Sequence, residues 1–170
     1  MPHFYALLRR LMGLAALVGP MAALAVSPAQ WEGVVTRVSD GDSLWVRPEG
    51  GGPPRRIRIH GIDAPELCQA YGRASRAALA QQIKGRQLGL QVLRVDDYGR
   101  PLARLTLDGE DLARRLVWQG RAWSYRYRQD PGPYAQEEAE ARQARRGLFA
   151  APEPERPYDF RQRHGPCLRR

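Results

Sequence analysis

Alternating and helically spaced apolar residues divide the chain from residue 33 onward. Val34, Val35 and Val38 in W-E-G-V-V-T-R-V start a strand, S-D-G-D turns the chain, and S-L-W-V-R forms a second strand. The run P-E-G-G-G-P-P over residues 48–54 is a strong turn signal. Residues 56–60 then alternate as a third strand, which Ala64-Pro65 stops. Residues 73–84 are Ala-rich, with Ala77, Leu79, Ala80 and Ile83 as an apolar stripe, and the spacing predicts a helix ending at Gly85. Residues 87–95 alternate through Leu88, Leu90 and Val92, and residues 100–107 follow across the D-D-Y-G turn as another strand that Asp108-Gly109 ends. Residues 110–119 carry Leu112, Leu116 and Val117 at helical spacing. Residues 123–127 are a short aromatic strand, and residues 133–146 read as a third helix that opens on Pro and closes at Gly147. From Ala150 the chain is rich in Pro and Arg and predicts an extended tail. No internal repeat is visible. The pattern describes a small α+β domain.

The N-terminal residues change that picture only by adding a leader. Arg9 and Arg10 precede an apolar run over residues 11–24, and Ala23-Leu24-Ala25 fits a small-x-small cleavage site. Residues 1–25 therefore read as an export signal, and the protein as secreted or periplasmic. The apolar run is shorter than the roughly 20 residues of a membrane span, so no stable span is expected after cleavage. An uncleaved anchor is the alternative.

Composition sets further bounds. The chain has 170 residues, 43% of them hydrophobic, enough for the core of one domain and unlike a disordered segment. Formal net charge is +9 and falls to +7 without Arg9 and Arg10, because residues 1–25 hold no acid. Of 27 basic residues only Lys84 is a lysine. Arginine offers a planar fork that suits phosphate, although a codon bias toward Arg explains the ratio equally well. The positive sign favours an anionic partner, either nucleic acid or a membrane surface. Cys68 and Cys167 are the two cysteines. In an exported chain the pair suggests one disulfide, with two free thiols as the alternative. No Cys/His spacing fits zinc.

The candidate chemistry lies in three short segments. Asp42 stands in S-D-G-D-S; Arg58, Asp63 and Glu66 stand in R-I-R-I-H-G-I-D-A-P-E; Arg100 stands in D-D-Y-G-R-P-L-A. Three carboxylates brought together repel one another unless a cation sits among them. Carboxylate oxygen is a hard donor, so the expected cation is Ca²⁺, with Mg²⁺ or Mn²⁺ possible. D-G-D alone is also ordinary turn chemistry. Two guanidiniums beside such a cation hold a phosphate, the arrangement that phosphodiester hydrolysis needs.

These motifs and their spacing resemble the staphylococcal (micrococcal) nuclease family over residues 33–148. The resemblance implies a five-stranded OB-fold β-barrel with three α-helices, a nuclease-like domain over residues 26–150 and a tail over residues 151–170. It implies that Asp42 and Asp63 ligate Ca²⁺ and that Ala64, where the best-known member carries Thr, adds a backbone carbonyl. It assigns Glu66 as general base, Arg58 to the scissile phosphate, and Arg100 to the transition state and leaving oxygen. Tyr98, Tyr125 and Tyr127 match positions that pack around a bound nucleotide; one or two of them as core residues is the alternative. Asp97 departs from the pattern, since the best-known member has Lys there. The implied activity is calcium-dependent, sugar-nonspecific endonuclease cleavage of DNA and RNA, preferring single strands and leaving 3′-phosphates, by a monomer. Two other readings stand beside it: an OB-fold nucleic-acid-binding module that has lost catalysis, and a basic envelope protein whose charge serves adhesion.

Overall fold

The computed structural model describes residues 29–165 and Cys167; the leader expected over residues 1–25 lies outside them. β1 (Gln30–Val38), β2 (Ser43–Pro48) and β3 (Arg55–Ile59) form an antiparallel meander. β4 (Ile62–Asp63) leaves the barrel, and α1 (Gly72–Ile83) follows. β5 (Gln87–Val95) returns to pair with β1, and β6 (Pro101–Leu107) pairs with β5. A parallel pairing of β3 with β6, Arg58 opposite Leu102 and Ile59 opposite Ala103, closes five strands into a barrel. Closure pairs the two outer strands of the five with each other, as in an OB-fold.

Alternation fills the interior, with Leu44, Val46, Ile57, Ile59, Leu88 and Leu105 all buried. In β1 the register jumps between Val35 and Arg37. That bulge lets Val35 and Val38 both face inward although they lie an odd number of residues apart, while Val34 is left outside.

α1 covers the barrel with Ser75, Leu79 and Ile83, spaced four apart. Ala77, expected in the stripe, is exposed, and Ala80 is half-buried. Full burial of Leu79 and Ile83 contributes about 1.5–3 kcal/mol each.

The second helix starts later than its pattern predicts. Glu110–Asp111 pairs with β6 as β7, and α2 spans Leu112–Trp118. Asp111 caps it, accepting hydrogen bonds from the amides of Ala113 at 2.9 Å and Arg114 at 3.2 Å. β8 is Trp123–Ser124 and pairs with β4, so the aromatic stretch over residues 123–127 is a strand only in its first two residues. α3 is Ala135–Gln143, shorter at both ends than the 133–146 pattern. A 3₁₀ turn follows at Gly147–Ala150. The tail is not merely extended. Pro157–His164 forms a fourth helix, α4, so the three helices expected become four. Pro157 occupies the first helical position, where its missing N–H costs nothing.

Candidate active site

The turn between β1 and β2 carries the first acidic group. Its shape is fixed by backbone bonds from the Ser39 amide to the Ser43 carbonyl at 2.8 Å and from the Ile59 amide to the Asp42 carbonyl at 2.8 Å. Gly41 is needed because a Cβ there would lie 2.2 Å from Ser75 Oγ and 2.6 Å from Ala64 Cβ. The turn is thus wedged between α1 and the loop that carries Asp63.

Asp42 is buried and accepts three hydrogen bonds: from the Ala64 amide at 3.1 Å, Ser43 Oγ at 3.0 Å and Arg58 Nη1 at 3.0 Å. Arg58 lies opposite Ser43 in the β2–β3 ladder, which aims it at the turn. Its second nitrogen, Nη2, donates to Asp63 Oδ1 at 3.1 Å. One guanidinium therefore spans both aspartates. Glu66 follows in a tight turn over residues 66–69, where the Gln69 amide donates to the Glu66 carbonyl at 2.9 Å and the Glu66 amide donates to Gln69 Oε1 at 3.0 Å.

A second guanidinium enters from the tail. Arg161 on α4 donates from Nη2 to Asp63 Oδ2 at 3.0 Å, and from Nη1 to Asp63 Oδ1 at 3.2 Å and Glu66 Oε1 at 3.0 Å. The Cys68–Cys167 disulfide is formed, with the two Cα atoms 5.7 Å apart, and ties the tail to the residue two beyond Glu66.

The other expected site residues lie around this cluster. Arg100 does not touch the three carboxylates. Asp96 holds it instead, accepting from its amide at 2.9 Å and from its Nε at 2.8 Å, and its guanidinium lies 5.3 Å from the Tyr98 ring centre. Arg100 nevertheless stands just before β6, two residues ahead of Leu102, the partner of Arg58 across the parallel ladder. Tyr98, Tyr125 and Tyr127 are 84%, 42% and 62% exposed, so none is a core residue.

Burial by itself would raise the Asp42 carboxyl. The Arg58 charge and the Ala64 amide outweigh it and hold Asp42 below the usual carboxylate range. Burial and the neighbouring Asp42 charge push Asp40 up to about 7. Burial also raises Asp63, against the pull of Arg161 and Arg58. Arg58 itself is raised, chiefly by the Asp42 charge.

Among the described residues no three His, Cys, Asp or Glu side chains gather as a metal cluster. The carboxylates are bridged by guanidiniums, which offset part of the mutual repulsion expected of them, although the Asp42 charge still raises Asp63. Their donor chemistry still fits a hard cation: Asp42, Asp63 and Glu66 offer only carboxylate oxygens, and Arg58 and Arg161 already supply positive charge at that position.

Two residues escaped the sequence pattern. Asp40, in the same D-G-D as Asp42, accepts the Asp42 amide at 3.1 Å and is the second acid of the turn. The motif itself was the signal for it. Arg161 had no signal of its own among so many arginines; only the pairing of Cys68 with Cys167 pointed its segment toward the site.

Similarity to known proteins follows the same residues. The family model for staphylococcal nuclease homologues matches residues 56–151. Protein ParB of Escherichia coli is 36% identical, over 93% of this chain and 92% of its own length. An uncharacterized endonuclease of Escherichia coli O157:H7 is 37% identical, over 79% of this chain and 88% of its own. Probable staphylococcal-like nuclease CAN2 of Oryza sativa subsp. japonica is 37% identical over 63% of this chain, which spans only 29% of that relative's length. With its closed five-stranded barrel and these relatives, the chain belongs to the staphylococcal nuclease family.

Proposed function

We propose that the protein is an exported, calcium-dependent, sugar-nonspecific endonuclease that prefers single-stranded DNA and RNA and leaves 3′-phosphates. The observation that carries this reading is the Arg58 fork spanning Asp42 and Asp63, with Glu66 in the same cluster. Nuclease relatives and a basic chain support a nucleic-acid substrate. The disulfide supports an oxidising compartment.

Asp42, Asp63 and the Ala64 carbonyl would hold the Ca²⁺, whose contribution is to neutralise charge on a phosphoryl oxygen. Glu66 sits beyond Pro65 and takes a proton from the attacking water. The water oxygen bonds to phosphorus and the P–O5′ bond breaks. The phosphate stays on the 3′ side, and the 5′ oxygen leaves with a proton taken from solvent water, while Glu66 returns its proton to solvent. Arg58 and Arg100 donate forked, charge-assisted hydrogen bonds to the phosphoryl oxygens as charge gathers there. Asp96 pre-orients Arg100 for that task. The exposed rings of Tyr98, Tyr125 and Tyr127 stack on unpaired bases, at about 1–3 kcal/mol per base.

Glu66→Gln tests the assignment of roles. It keeps shape and accepts Arg161, but takes no proton. Single-turnover cleavage at saturating Ca²⁺ should fall by about 10²-fold or more, while calcium affinity changes little. A collapse of affinity with a normal saturated rate would make Glu66 a ligand and not the base.

A further inference from the structure

Both oxygens of Asp63 are taken by guanidiniums. Arg161 holds Oδ2 at 3.0 Å and shares Oδ1 with Arg58, and the same Arg161 nitrogen that reaches Oδ1 also reaches Glu66 Oε1 at 3.0 Å. A cation that uses Asp63 must therefore share or take oxygens that Arg161 occupies. Two like charges cannot hold the same carboxylate at full strength.

The segment that delivers Arg161 has little hold of its own. α4 is eight residues long, and only Pro157 on it is buried. An isolated helix of that length is marginal in water. It is kept in place by attachments at its ends. Before it, Gln69 Nε2 donates to the Glu155 carbonyl at 2.8 Å, and the Arg156 guanidinium lies 5.1 Å from the Trp123 ring centre. After it, Cys167 is bonded to Cys68. Arg163, on the same helix, pairs with Glu155 and not with the site. The tether fixes a high local concentration of one guanidinium at the carboxylates.

We propose that Arg161 is a built-in competitor of the metal: the disulfide-tethered α4 sets the calcium affinity of the site, and Ca²⁺ enters by displacing Arg161 from Asp63 and Glu66. Reduction of Cys68–Cys167 loosens the competitor and tightens calcium binding. This inference rests on the metal-site reading above and does not require that the site cleave nucleic acid.

Calorimetric titration of the metal-free protein with CaCl₂, without substrate, tests it. Arg161→Met removes the charge and keeps the apolar stem, and should tighten calcium binding by about tenfold or more. Arg161→Lys keeps a charge and should stay closer to wild type, and Arg163→Met should match wild type. Cys167→Ser should tighten binding several-fold by freeing α4, and it carries the test if Arg161→Met does not fold. Equal or weaker calcium affinity in a folded Arg161→Met overturns the proposal. So does the absence of calcium binding in wild type and variants alike, which also removes the metal-site reading. Tighter binding in the titration, with no cleavage of single-stranded DNA by the same calcium-loaded protein in a separate assay, leaves the competitor standing and sinks the nuclease reading alone.

Discussion

Asp42 shows why a carboxylate at this position is more than a ligand in waiting. It satisfies the Ala64 amide, Ser43 Oγ and Arg58 Nη1 at once. From three acids in sequence, repulsion is the natural expectation, and removal of one should then relieve strain in the metal-free protein. The geometry reverses that sign. Asp42→Ala strands a buried amide and half the fork of Arg58, so it should lower unfolding free energy by about 3 kcal/mol. Urea denaturation in EDTA measures this; an unchanged midpoint would mean the pair adds nothing. Asp42, Arg58, Asp63 and Glu66 were legible because their spacing is motif-like. Asp40 and Arg161 were not, for different reasons. Asp40 sits two residues from a stronger candidate, whose amide it accepts. Arg161 is brought in by a bond across the fold, which no local pattern encodes.

At the scale of elements, the site depends on how closely α1 approaches the loop before it. Gly72 opens α1, and a Cβ there would lie 1.8 Å from the Glu66 carbonyl oxygen. Gly72→Ala must push the 66–69 turn outward. It should cost about 1–3 kcal/mol of stability and about 10²-fold in cleavage through a misplaced Glu66. Wild-type cleavage by that variant would show that the Glu66 turn tolerates displacement. The strand junction offers a test by pH. His60 follows β3, and its Nδ1 is buried without a hydrogen-bond partner. Burial first, then Arg104 on β6 and Arg94 on β5, lower it below its ordinary 6.5, with Asp111 opposing. The native state thus holds fewer protons than the unfolded chain between that lowered value and 6.5. Its share of stability is complete above about pH 6.5 and is lost as pH falls through that window. Melting midpoints of wild type should therefore drop more between pH 8 and pH 5 than those of His60→Gln; parallel profiles would contradict the shift. Barrel strands were readable from alternation, whereas α4 was not. Its Y-D-F-R-Q-R-H run has no apolar stripe, and its helix is stabilised by attachments at its two ends. The late start of α2 has a similar cause, because pairing of Glu110–Asp111 with β6 overrides the helical spacing.

The whole molecule is basic, and three of its acids, Asp42, Asp63 and Glu66, are brought together around two guanidiniums. A formal charge of +9 draws polyanions toward the surface, and that attraction weakens as salt rises. The carboxylate cluster needs the opposite sign at its centre, which Arg58 from the barrel and Arg161 from the tail supply in this structure and which the proposed cation would supply in place of Arg161. The OB-fold closure could be anticipated only through the family resemblance, since alternation yields strands without saying that β3 meets β6. Among the described residues no helix is long and apolar enough to cross a membrane. The most direct measurement is cleavage of a labelled single-stranded DNA by the purified protein lacking residues 1–25, in Ca²⁺ and in EDTA, beside Asp63→Asn. Calcium-dependent cleavage to 3′-phosphate ends is predicted for the wild type, abolished by EDTA and reduced at least about 10²-fold in Asp63→Asn. Cleavage that persists in EDTA, or equally in Asp63→Asn, would contradict hydrolysis at the Asp42–Asp63–Glu66 cluster.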